Sequence, residues 1–159
     1  MKTLLLRAFA LIAAILPMAE AAPKPKVPKV FGDFPVGKTF TFTVSNAMTS
    51  ATQGTTIIPE APVPKGVPAF TVGQQVTFTI GKKGELIGPG FKVKFVSGAV
   101  GSNVYMNKPK QKAAPTAVTV HKDTTTNEPY AVSMGFFTFK LTKRVPYVTQ
   151  TYYTVGTLN

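Results

Sequence analysis

Three stretches of the chain alternate apolar and polar residues with a period of two. Thr39-Phe40-Thr41-Phe42-Thr43-Val44 places Phe40, Phe42 and Val44 on one side. Gln75-Val76-Thr77-Phe78-Thr79-Ile80 does the same with Val76, Phe78 and Ile80. Phe91-Lys92-Val93-Lys94-Phe95 repeats the rhythm with lysines on the polar side. In a strand, successive side chains point to opposite faces, so each stretch predicts a half-buried strand. Thr116 to His121, Tyr130 to Thr142 and Tyr147 to Val155 are further runs rich in β-branched and aromatic residues.

Turn residues separate these runs. Gly81-Lys82-Lys83-Gly84 predicts a tight hairpin connection, and Gly88-Pro89-Gly90 and Gly98 to Asn103 predict further turns. Pro59 to Pro68 holds Pro59, Pro62, Pro64 and Pro68, which lack backbone donors, so this connector stays outside any sheet. Beyond the first residues, no stretch has the spacing of three and four that a helix needs. The expected fold is all-β, a single antiparallel β-sandwich or small β-barrel of about seven to nine strands.

The N-terminus differs from the rest. Lys2 and Arg7 flank an apolar run from Leu4 to Leu16, Pro17 breaks it, and Ala19-Glu20-Ala21 supplies small residues at a cleavage site. This is the layout of a secretory signal peptide over residues 1–21, with a run too short to span a bilayer. No second apolar span follows, so no transmembrane segment is expected after cleavage. Pro23-Lys24-Pro25-Lys26-Val27-Pro28-Lys29 then favours polyproline II or disorder. Residues 22–33 are read as a flexible basic Pro/Lys arm, and 34–159 as one domain. The expected location is periplasmic or extracellular.

Two segments share a sequence at an offset of 36. Phe34-Pro35-Val36-Gly37-Lys38-Thr39-Phe40-Thr41-Phe42-Thr43-Val44 matches Phe70 to Ile80 at six of eleven positions. Either reading of this internal repeat has a cause: two equivalent binding surfaces, or two pseudo-symmetric strands of one core. Apolar alternation ordinarily reports burial and favours the second. Val72 to Ile80 resembles the second-strand region of bacterial immunoglobulin-like sandwich domains over roughly ten residues. That resemblance implies a β-sandwich, although the Cys and Trp markers of true immunoglobulin domains are absent.

Composition narrows the chemistry. The 159 residues include no Cys, no Trp and one His, and carry a formal net charge of +12. Without Cys there is no disulfide framework and no thiolate metal or iron–sulfur site. One His excludes a multi-His centre, and the acids Asp33, Glu60, Glu85, Asp123 and Glu128 are scattered, so no metal or other cofactor is expected. His121-Lys122-Asp123 places two titratable groups close in sequence, with Ser97 or Ser133 as conceivable nucleophiles. No G-x-S-x-G elbow accompanies them, and no catalytic residue is assigned. A hydrolase with an unrecognised site stays open as an alternative.

The basic excess is the main functional signal. Lysines concentrate at Lys24, Lys26 and Lys29, at Lys82 and Lys83, at Lys92 and Lys94, and at Lys108, Lys110 and Lys112. Such a surface attracts polyanions through its field and through counterion release. With lysine far in excess of arginine, bidentate base readout is disfavoured. The expected partner is an anionic glycan, a lipid surface or nucleic acid held without sequence specificity. Exposed strand lysines also keep sheet edges apart. A structural or assembly component of the cell envelope, with a protein partner joined through sheet edges, is the alternative from another class.

Overall fold

A computed structural model describes residues 29–107 and 116–157. The expected signal peptide, and Lys24, Lys26, Lys108, Lys110 and Lys112, lie outside the described residues.

Wherever threonine alternates with phenylalanine or valine, the chain is a strand. The elements are β1 (Val30–Phe31), β2 (Phe34–Pro35), β3 (Thr39–Gln53), β4 (Thr56–Ile58), β5 (Gln75–Ile80) and β6 (Leu86–Gly88). They continue with β7 (Phe91–Ala99), β8 (Ser102–Met106), β9 (Thr116–Lys122), β10 (Pro129–Thr142) and β11 (Val145–Gly156). β1 and β2 form a two-stranded sheet of their own, so the last residues of the segment read as an arm are paired. All other strands join one antiparallel sheet of nine, with no helix among the described residues.

That sheet closes. β3 pairs with β5 through Thr39–Thr43 and with β11 through Val44–Gln53, so the ladder runs β3, β5, β6, β7, β8, β9, β10, β11 and back to β3. β4 adds a short strand to the far end of β3. Neighbours in the ring are neighbours in sequence except where β4 intervenes and where β11 returns to β3. The strand order is that of a meander. At Ser45 the register shifts by one residue, and the Ser45 hydroxyl donates to the Gly156 carbonyl at 2.7 Å. A bulge of this kind bends a strand, and it falls where β3 passes from β5 to β11.

An eight-stranded ring is just wide enough for side chains to fill. Phe34, Phe40, Val44, Val76, Phe78, Ile80, Leu86, Val93, Tyr105, Val118, Val120, Val132 and Val155 form one buried cluster inside it. Aromatic pairs tie this core, including Phe40–Phe78 at 5.5 Å and Phe91–Phe136 at 5.5 Å between ring centroids. Outward positions of β5, β7 and β9 carry Thr77, Thr79, Lys92, Lys94, Thr119 and His121. On these three strands the pleat sorts apolar groups inward and polar groups outward.

The matching segments meet at the β3–β5 seam. Gly37 and Gly73 both adopt φ +89°, a conformation an L-residue resists. Gly37 N–H donates to the Ile80 carbonyl at 2.8 Å, and Gly73 N–H donates to the Val44 carbonyl at 2.9 Å. Thr41 and Thr77 face one another at 2.7 Å between hydroxyls. Phe34 and Phe70, the first residues of each segment, are both buried.

Candidate anion-binding surface and clefts

The described lysines of the expected set fall on two neighbouring features. Lys82 and Lys83 are exposed in the β5–β6 turn, whose Gly84 (φ +77°) lies so close under the Phe31 ring that a Cβ there would overlap it. Lys29 lies 5.8 Å from the centroid of that same Phe31 ring. Lys92 and Lys94 project from the outer face of β7, where the core alternation of Phe91, Val93 and Phe95 leaves them. Lys92 sits 3.0 Å from Glu85, whose other oxygen accepts the Lys83 backbone N–H at 2.7 Å. These hydrogen bonds, with that of its own backbone first among them and the Lys92 ammonium next, hold the Glu85 carboxyl down at about 2.

Acids are scarce and mostly engaged. Asp33 pairs with buried Lys122, Glu128 with Lys38 at 2.8 Å, and Glu85 with Lys92. The Asp123 carboxylate accepts the Thr126 and Thr125 backbone N–H groups, which lower its pKa. Among the described residues Lys29, Lys65, Lys82, Lys83, Lys94, Lys140, Lys143 and Arg144 have no carboxylate within ion-pair distance. Lys65, Lys140, Lys143 and Arg144 were not in the sequence-derived set. The signal was available: no Asp or Glu occurs from Pro129 to the C-terminus.

A cleft of about 440 Å³ opens at the end of the barrel bearing the β6–β7 turn. The proline connector forms one wall with Lys65, and Phe91, Lys92, Thr116, Phe136 and Thr138 supply others. Two ammonium groups, two hydroxyls and an aromatic floor suit a ligand with an anionic head and an apolar body. Glu85 already neutralises part of the Lys92 charge, which weakens the cleft as a discrete anion site. A second cleft of about 500 Å³ follows β3 between its β5-paired and β4-paired stretches, bordered by Met48, Glu60, Phe70 and Tyr153.

His121 Nε2 lies 3.0 Å from Ser133 Oγ, so the tertiary structure does bring a serine to the lone imidazole. Both project from the outer face of the β9–β10 ladder, beside Tyr130. Burial lowers the His121 pKa. No carboxylate orients the ring through its other nitrogen among the described contacts, and the pair stands on a convex sheet face away from both clefts. Lys122 turns inward to Asp33, and Asp123 caps its own turn, so the three adjacent residues point to three different environments. Among the described residues no group of three or more His, Asp or Glu side chains is placed to hold a metal ion.

No known protein family, curated protein or solved structure matches this chain. No helix among the described residues is long and apolar enough to cross a membrane.

Proposed function

We propose that this chain is an exported, non-catalytic β-barrel module that holds an anionic partner, polymer or surface, through lysines. One observation carries the reading: four of the five described acids are spent on internal ion pairs and a turn cap, Glu60 being the exception, while eight described cations have no carboxylate beside them. A charge imbalance of this kind survives as a positive field at the surface. The Phe34–Val44 and Phe70–Ile80 segments are one structural unit used twice, and their shared positions serve the core seam rather than two binding sites.

Heparin affinity chromatography tests the reading. Retention should be strong at low salt and fall steeply as salt rises, with a slope that shrinks by nearly one for each contacting lysine replaced. The K82Q/K83Q/K94Q variant should elute earlier than the parent. Absence of retention at low salt, or retention indifferent to salt, rejects it. Mass spectrometry of the exported product should find an N-terminus at Ala22.

A second reading, assembly through sheet edges, has one observation behind it. The β9 ladder ends at Phe136 while β10 continues to Thr142, leaving that edge of β10 without a strand partner among the described residues. Lys140 in the middle of this edge opposes pairing with a second copy.

A further inference from the structure

The β10–β11 hairpin and the distal half of β3 extend past the barrel as a small sheet with two unlike faces. On the inner face lie Phe136, Thr151, Thr149 and Ala51, all buried. The proline connector covers them: the Ala61 N–H donates to the Thr49 carbonyl at 3.0 Å, and Tyr153 O–H donates to the Pro68 carbonyl at 2.8 Å. The outer face follows from the register. Phe139 stands opposite Val148, Val148 opposite Thr52, and Thr52 opposite Ile57. Leu141 flanks this row on one side, and Tyr152 opposite Met48 continues the face on the other.

Directly opposite residues share a face, so these side chains form one surface. Its exposed apolar members are Ile57 at 71%, Phe139 at 66%, Leu141 at 61% and Met48 at 54%, with Thr52 inside the row and Ser50 and Gln150 between it and Met48. Apolar exposure gathered on one face of a sheet marks an interaction site. Lys143 and Arg144 form the two-residue turn at its tip, both exposed and both at positive φ. Neither β3, β4, β10 nor β11 contains an acid.

We infer that this outer face seats on a bilayer surface bearing anionic headgroups. The inference rests on the anionic-partner reading and names the partner. A soluble polyanion would use Lys143 and Arg144 but leave Phe139, Leu141 and Ile57 in water. A second copy paired through the β10 edge would bring two Lys140 ammonium groups together. At the boundary between headgroups and acyl chains both halves of the surface are satisfied. The apolar row leaves water, and the cations at its tip meet lipid phosphates. Lys140, on the opposite side of the edge strand, has a four-carbon stem long enough to reach round to the same layer.

The chain lacks Trp, so a single introduced indole reports one place only. Phe139→Trp puts the reporter on the proposed face, and Val100→Trp puts it in the β7–β8 turn at the other end, where Val100 is 88% exposed. Each variant, prepared as the exported product that begins at Ala22, is titrated with phosphatidylcholine vesicles and with vesicles enriched in phosphatidylglycerol. With anionic vesicles, Phe139→Trp emission should move to the blue and be quenched by brominated lipid, while Val100→Trp emission stays unchanged.

Adding Leu141→Ser and Ile57→Ser to the reporter should weaken binding by about tenfold or more. Removing Lys143 and Arg144 as K143Q/R144Q should cost roughly fivefold per cation. These positions are exposed, and circular dichroism checks that the variants stay folded.

No shift at Phe139→Trp with either vesicle overturns the inference, as does an equal shift in both reporters. Emission already blue in buffer overturns it too, showing the face covered by the chain itself; if light scattering then gives a larger species, a second copy covers it. Salt-dependent heparin retention without a vesicle response removes this inference and leaves the anionic-partner reading standing. Loss of both removes the two together.

Discussion

The two ends of the barrel are closed in different ways. At one end the segment from Lys29 to Lys38 folds back as a plug. Phe34 enters the core, the Gly32 carbonyl accepts from Asn103, Asp33 meets Lys122, and Lys38 reaches Glu128 across the rim. At the other end the proline connector lies over the opening, a cleft remains beside it, and the β10–β11 hairpin runs on into solvent. The plugged end holds Asp33, Glu85, Asp123 and Glu128. The hairpin end holds Lys140, Lys143 and Arg144, exposed Phe139, Leu141 and Ile57, and a single acid, Glu60, in the connector. Charge pairing and buried aromatics therefore serve stability at one end. The hairpin end also keeps unpaired cations beside a row of exposed apolar groups, which stabilises nothing in the isolated fold and is available to a partner.

If that division is right, equal truncations at the two ends should have unequal effects. Phe34→Ala removes a fully buried ring and should destabilise by about 3–5 kcal/mol. Phe139→Ala should stay within about 0.5 kcal/mol, since Phe139 is mostly in water. Urea unfolding of both variants makes the comparison, and similar losses would break it. A smaller effect separates the ion pairs. Asp33→Ala leaves the buried Lys122 ammonium without its partner and should cost roughly 2 kcal/mol, less than a fully buried pair because Asp33 is half-exposed. Lys38→Ala removes a rim pair and should cost under about 1 kcal/mol. A double variant, Asp33→Ala with Lys122→Met, should recover most of the first loss.

The finest test is pH. The Glu85 pKa lies at about 2 in the folded chain against 4.5 for the free group. The unfolded state therefore binds a proton first as pH falls. Its stabilising contribution is whole above about pH 4.5 and is lost between there and pH 2. Glu85→Gln should flatten the stability profile in that window while leaving vesicle binding at the hairpin unchanged. An unaltered acid profile would show that Glu85 contributes nothing to the plugged end.

Much of this was readable along the chain, and the reasons differ by element. β5 and the first part of β3 alternate Phe or Val with Thr, a pattern only a half-buried strand needs. The β5–β6 and β6–β7 turns carry the glycines their geometry requires. The second half of β3, from Asn46 to Gln53, has small and polar residues on both faces and no such contrast. It is a strand because β11 lies alongside it. β8 was hidden for a similar reason: Gly98 and Asn103 read as turn residues, yet they pair across the hairpin and leave only Val100-Gly101 as the turn. Of the site, the lysines were legible as charge but not as neighbours. Lys92 turned out to be partly spent on Glu85, and the acid-free hairpin with its apolar outer row required the register to be seen.

The sequence by itself determined that this chain folds as strands, which side of its alternating runs faces inward and that its charge is strongly positive. Those properties follow from period-two alternation, turn residues and composition, all local or additive. Only the tertiary structure decided that the strands close into a ring, that Lys122 is buried while Lys143 is not, and that one face of the hairpin is roofed and the other bare. Closure, burial and facing depend on which distant segment lies alongside, and strand registers between residues a hundred positions apart are not encoded in either strand alone.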